Sequence, residues 1–95
     1  MPPVHPGEIL KVEFLDELGI SNYRLAQDTG MPQSRVGNIV NGKRGITGDT
    51  ALRLAKYFGT TPEFWLDLQA HYELEAARDA SGRAIEREVK ARAAG

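Results

Sequence analysis

Ninety-five residues without a cysteine bound one small domain and exclude a disulfide framework, a thiol nucleophile and a cysteine zinc site. The formal net charge is only −1, yet residues 31–56 carry Arg35, Lys43, Arg44, Arg53 and Lys56 against Asp49 alone, while residues 57–81 carry Glu63, Asp67, Glu73, Glu75 and Asp79 against Arg78. No run is long and apolar enough to span a membrane and the opening residues lack the shape of a signal peptide, so a soluble cytoplasmic protein is expected.

Pro2 and Pro3 open a short extended arm. Pro6 suits the first position of a helix, and Glu8 puts negative charge near the positive end of its dipole. Ile9, Leu10, Phe14 and Leu18 form its expected apolar stripe, and Gly19 ends it. His5 has only His71 for company, and reads as a local turn residue rather than a catalytic group or ligand.

The stretch from Asn22 to Asn41 organises the chain. Ser21 is a good N-cap for a second helix, and Gly30 can take the left-handed conformation that ends it. Pro32 suits the first turn of a third helix. Leu25, Ala26, Thr29, Met31, Val36 and Ile39 fall where two short helices crossing steeply need buried groups. Gln33, Ser34, Arg35 and Asn38 are left pointing outward. An ordinary αα-hairpin has the same turn and periodicity. Against it stands the outward face, whose four residue types each read a base edge or a phosphate and none of which belongs in a core. The pattern is a helix-turn-helix, whose second helix is shaped to enter a DNA major groove.

Residues 41–45, Asn-Gly-Lys-Arg-Gly, form a glycine-bounded basic turn that holds Lys43 and Arg44 beside the reading helix, well placed for backbone phosphates. A solvated charge pair is the plainer alternative. Thr47 caps a fourth helix with Ala51, Leu54, Ala55 and Phe58 at core spacing, and Gly59 stops it. Thr61 and Pro62 start a fifth, whose apolar face is Phe64, Trp65, Leu68 and Tyr72. At helical spacing Phe64 and Trp65 read as core rather than as a ligand cage.

The fold class is thus all-α, a five-helix bundle from Pro6 to about Asp79 with no strand signal. Ala80-Ser81-Gly82 is a break in composition. Beyond it a separate helix is expected, with Glu86–Lys90 and Glu88–Arg92 pairs and an apolar stripe of only Ile85, Val89 and alanines. The division is a DNA-binding domain over 1–80 and a C-terminal helical tail over 81–95. Two isolated histidines, no phosphate-binding glycine loop and no clustered metal ligands argue against an enzyme, and no cofactor or metal is expected.

Residues 21–64 resemble the DNA-binding domains of the lambda-type phage repressors and the Cro/repressor-like regulators, most closely from Gly30 to Lys43, in length and in the Gln-Ser opening of the reading helix. The resemblance implies that Gln33 hydrogen-bonds an adenine edge and that Ser34 and Asn38 reach neighbouring bases. It also implies that Asn22 braces Gln33 or holds a phosphate, and that Asn41 and Lys43 bind the backbone. Arg35 departs from the small residue of the phage repressor; a base or phosphate contact there is inferred from its place on the helix.

A narrower match spans about residues 5–78. His5-Pro6-Gly7-Glu8, the run Gly42 to Thr47, and the run Gly59 to Glu75 with its Thr-Pro-Glu-Phe-Trp and Leu-x-Leu-Gln together resemble the HigA antitoxin family of bacterial toxin–antitoxin operons. This implies a homodimer that represses its own operon by binding double-stranded operator DNA. It also implies a second partner, a basic toxin that cleaves mRNA at the ribosome. Glu63, Asp67 and Glu73 in the acidic flank are the candidate toxin-facing residues, on charge alone, and Glu13, Asp16 and Glu17 of the first helix offer another complementary surface. The competing expectation is a free-standing helix-turn-helix regulator with no toxin partner.

Overall fold

The structure, a computed structural model, describes residues 2–93. Residues 1, 94 and 95, which the predicted 1–80 and 81–95 segments include, lie outside the described residues. Helix α1 (Pro6–Ile9) runs on through a π-helical segment (Leu10–Asp16); α2 (Asn22–Thr29), α3 (Gln33–Val40), α4 (Gly48–Phe58) and α5 (Pro62–Glu88) follow. There is no strand among the described residues.

The caps read from the sequence form as expected. The Ser21, Thr47 and Thr61 side chains accept from the backbone N–H of Arg24, Thr50 and Phe64. Gly30 ends α2 at φ 69°, and the N–H of Met31 reaches back to the Ala26 carbonyl at 3.1 Å, which seals the helix end and sends the chain into the turn. Pro32 differs slightly from expectation: it is the N-cap of α3, and Gln33 is the first helical residue.

His5 is the N-cap of α1, where Nδ1 accepts the Gly7 N–H at 2.9 Å. Its ring meets Tyr72 edge-on at 4.8 Å. Burial lowers its pKa from the ordinary value, so the neutral, accepting form is favoured. The turn role expected of His5 is what the geometry gives.

The expected stripe of the first helix needs correction. Leu18 is 61% exposed, and the core position belongs to Leu15 at 3%. Leu10 and Leu15, five apart, are both buried because the π-helical segment bonds i to i+5 and turns each residue less far than an α-helix does. Phe14 stays on the core side and meets Phe58 and Trp65 at 4.9 Å each.

The core closes around Trp65, fully buried, whose indole N–H donates to Thr60 Oγ1 at 2.8 Å. Leu10, Leu25, Val36, Ile39, Ala51 and Leu54 pack with it, drawing on every helix. Trp65 is therefore core, as expected, while Phe64 sits at the rim, 39% exposed.

The expected break at Ala80-Ser81-Gly82 is not there. Helix α5 passes through it and ends at Glu88, with Val89 extended at φ −96°, ψ 121°. A helical Gly costs only about 1 kcal/mol relative to Ala, and the neighbours Ala76, Ala77, Ala80 and Ala84 favour helix without a proline to stop it. Lys90 and Arg92 lie beyond the helix, so the expected pairs with Glu86 and Glu88 do not form. Only Trp65 and Gln69 of α5 are buried, and the distal half projects from the bundle with Leu74 and Ile85 about half exposed.

Candidate nucleic-acid interface

Helices α2 and α3 form the predicted helix-turn-helix, with Leu25, Ala26, Thr29, Met31, Val36 and Ile39 all buried. The unit is fixed from two sides. On one, α4 braces the end of α2: Arg53 donates to the Thr29 carbonyl at 2.9 Å, and the Tyr57 hydroxyl donates to Asp28 at 3.0 Å. The hydrogen bond from Arg24 holds the Asp28 carboxyl below the usual carboxylate range, and partial burial followed by the Asp28 contact pushes the Tyr57 phenol up. On the other side, α1 crosses α3 where Gly7 lies directly against the Ile39 carbonyl.

The outer face of α3 is open. Gln33 and Ser34 are exposed in its first turn, and no side chain caps that end. Asn38 is exposed as well, four residues after Ser34 and on the same side of the helix. Three amide or hydroxyl side chains thus stand together on a rigid rod, with donors and acceptors unpaired within the described residues.

Arg35 does not join them. Its guanidinium turns back onto α4 and binds Asp49 at 2.8 Å, and Asp49 also holds Arg53 at 2.9 Å. The Arg35 Nε is buried without a partner. Hydrogen bonds from Arg53 and Arg35 lower the Asp49 pKa, so the carboxylate stays charged and the clamp stays closed. A base or phosphate contact from Arg35 would have to compete with this ion pair to Asp49, fourteen residues away.

The basic turn is where the sequence put it. Asn41 is the exposed C-cap of α3, and Gly42 takes φ 76° to fold the chain back. The N–H groups of Lys43 and Arg44 both donate to the Asn38 carbonyl, at 2.8 and 3.1 Å. Both side chains are exposed, and neither makes an ion pair among the described residues. Asn22 is half-buried at the start of α2, and no hydrogen bond joins it to Gln33.

One residue that holds this surface escaped the sequence reading. Gln69 of α5 is 9% exposed, and its Oε1 accepts the buried Ile46 N–H at 2.7 Å. Its amide also lies against Gly45, where an added Cβ would stand 2.8 Å from Nε2. The signal was available: Gln69 is four residues after Trp65, a polar residue in a core position.

The acidic candidates do not form one patch. Glu63 and Asp67 share the side of α5 opposite the core, whereas Glu73 lies about 120° around the axis from Asp67. Glu75 is paired with Arg78 at 2.7 Å. Among the described residues no group of three metal-ligating side chains comes together, and no helix is long and apolar enough to cross a membrane.

This geometry has close counterparts among known proteins. A family described as helix-turn-helix matches residues 13–65. Antitoxin HigA-1 of Vibrio cholerae is 43% identical over 77 residues, 81% of this chain and 72% of its own length. An addiction module antidote protein of the HigA family from Coxiella burnetii superposes with a TM-score of 0.91 at 52% identity, covering 97% of this chain and all of its own. The Pseudomonas aeruginosa antitoxin HigA, solved with the higBA promoter, superposes at 0.90 with 45% identity over 93% of this chain and 96% of its own. The chain belongs to the HigA antitoxin family of helix-turn-helix proteins.

Proposed function

We propose that this chain is the antitoxin and autorepressor of a toxin–antitoxin operon: a twofold dimer places α3 of each protomer in successive major grooves of an operator, and the same protein binds and neutralises a basic toxin that cleaves mRNA at the ribosome. The observation that carries the DNA half is the exposed trio Gln33, Ser34 and Asn38 beside Lys43 and Arg44, which are exposed and make no ion pair among the described residues. In this reading the trio meets base edges, and Asn22, Asn41, Lys43 and Arg44 serve phosphates. One reading helix spans only a few base pairs, so useful specificity asks for two, about one helical turn or ~34 Å apart. The groove along distal α5, lined by Leu74, Ala77, Gly82 and Ile85 together with Arg78 and Glu86, supports a seam between protomers there.

Gln33 is the principal reader. Its amide can donate to adenine N7 while accepting from the adenine amino group, a pair that discriminates by ~1–3 kcal/mol. Gln33→Ala is expected to weaken operator binding and flatten preference at one position of each half-site, with binding to unrelated DNA nearly unchanged. Selection from random duplexes would return the parental site if the assignment were wrong.

The toxin half follows from charge. A nuclease acting on mRNA presents cations, and the Glu63–Asp67 side of α5 is an exposed acidic surface that suits it. Reversing both charges is expected to slow association with the basic protein encoded beside this gene, most visibly at low salt, while operator binding persists. Glu73→Lys alone should matter less, because it faces elsewhere. A neighbour that is harmless when expressed alone, with no basic protein co-purifying, would leave a free-standing regulator in place of an antitoxin.

A further inference from the structure

The Leu-x-Leu-Gln motif of α5 has an outward-facing role that its apolar setting conceals. We infer that Gln69 is a positioning residue for DNA binding: it holds the Lys43–Arg44 turn in the conformation that meets phosphates. The inference rests on the DNA reading given above.

The turn from Asn41 to Ile46 is tied to α3 at its start, where the Asn41 and Gly42 N–H groups donate to the Gly37 and Ile39 carbonyls at 3.0 Å each, and to α5 at its end. At its start, the Asn38 carbonyl gathers the N–H groups of Lys43 and Arg44. At its end, the Ile46 N–H enters the protein and meets Gln69 Oε1 at 2.7 Å, a bond made across 23 residues of chain. Ile46 itself is 4% exposed, so without Gln69 this N–H would be buried and unpaired, an outcome that favours opening the turn to water.

The fit is steric as well as polar. Gly45 leaves room for the Gln69 amide to lie flat against the backbone, with 2.8 Å from the position of a Cβ to Nε2 and 3.0 Å to the carbonyl group. The backbone that carries Gln69 is held on both sides, by Trp65 one turn earlier, wholly buried, and by Tyr72 three residues later, packed on His5. The rigid rod of α5 thereby sets the height of the turn relative to α3. Two cations on a four-carbon or guanidinium stem reach phosphates from many loop shapes. They reach them together, at the register fixed by Gln33, only from one.

A purely structural Gln69 would change stability and leave the electrostatics of binding alone. The test therefore reads the salt dependence. A duplex selected by the parent protein and an unrelated duplex are titrated from low to moderate salt, at a temperature where circular dichroism shows each variant folded. Gln69→Met keeps length and removes the acceptor. It is expected to bind both duplexes roughly tenfold more weakly at low salt, with the slope of log K against log salt smaller by about one and the preferred sequence unchanged. Gln69→Glu keeps the acceptor and should retain the parental slope. Gly45→Ala attacks the same contact from the loop side and serves if Gln69→Met does not fold; it should lower the slope likewise.

Adding Gln69→Met to the Lys43→Ala, Arg44→Ala protein should leave the slope where the double variant already has it. A parental slope in Gln69→Met, or a further fall on top of the double variant, overturns the inference. Hydrogen exchange at the Ile46 amide reads the clamp without DNA: it should quicken in Gln69→Met, and unchanged protection would also overturn it. If instead the parent binds every duplex without salt dependence while Ile46 exchange behaves as expected, the clamp stands and the DNA reading is what has failed.

Discussion

Gly7→Ala is expected to cost at least about 3 kcal/mol of folding stability, near the upper end for a single added methyl group. An ideal Cβ at Gly7 would stand 2.7 Å from the Ile39 carbonyl carbon and closer still to its oxygen. Both are backbone atoms inside α3, so no rotamer change relieves the clash. Either α1 must lift off α3 or the Ile39 peptide must turn, and both disturb a fully packed neighbourhood of Leu10, Val36 and Ile39. For a domain of this size the loss corresponds to a fall in melting temperature of roughly 12–24 °C. Gly37→Ala is the matched control. It lies in α3, its Cβ would meet nothing within 4 Å, and it should be neutral or stabilising by about 0.5–1 kcal/mol. Thermal unfolding of the two variants decides the matter; equal melting points would mean that the α1–α3 approach is not held by Gly7.

What the sequence made legible was local. Ser21, Thr47 and Thr61 cap helices through bonds that span three residues, and Gly30 and Gly59 end them by backbone conformation alone, so residue type suffices to read them. The outward face of α3 was legible for the same reason: once Leu25, Val36 and Ile39 are assigned to the core, helical period leaves Gln33, Ser34 and Asn38 outside. The first helix failed because Leu10, Phe14 and Leu18 satisfy an α-helical stripe on paper. The π-helical segment shifts the register by about one residue, putting Leu15 in and Leu18 out, and no local signal marks such a segment.

Contacts across long stretches of chain were the other failure. Nothing around Arg35 shows that Asp49 will stand beside it, and nothing around Ile46 shows that Gln69 will. A local reading therefore counted Arg35 as free. The break at Gly82 was overread in the opposite sense, since one glycine among alanines and charged helix formers does not stop a helix that has already been nucleated by packing. These errors share a cause: a residue's neighbours in sequence were allowed to stand for its neighbours in space.

The Arg35–Asp49 pair sharpens the expected electrostatics of DNA binding. Asp49 pairs with both Arg35 and Arg53, so of the five cations in residues 31–56 only Lys43, Arg44 and Lys56 make no ion pair among the described residues. Lys43 and Arg44 are exposed, unpaired among the described residues, and fixed at the end of the reading helix by backbone bonds to Asn38. Replacing both with alanine is expected to reduce the slope of log K against log salt by about 1.8, close to one counterion per lost contact. Extrapolated from 1 M, where the ion-release contribution vanishes, that is a loss on the order of fiftyfold at 0.1 M salt, on specific and unrelated DNA alike. The preferred sequence should be unchanged, since Gln33 and Asn38 are untouched. Arg35→Ala supplies the contrast: a cation already committed to Asp49 releases no counterion on binding, so its slope should match the parent within error. A double variant that keeps the parental slope would remove Lys43 and Arg44 from the interface, and an Arg35→Ala protein that loses a full unit of slope would return Arg35 to it.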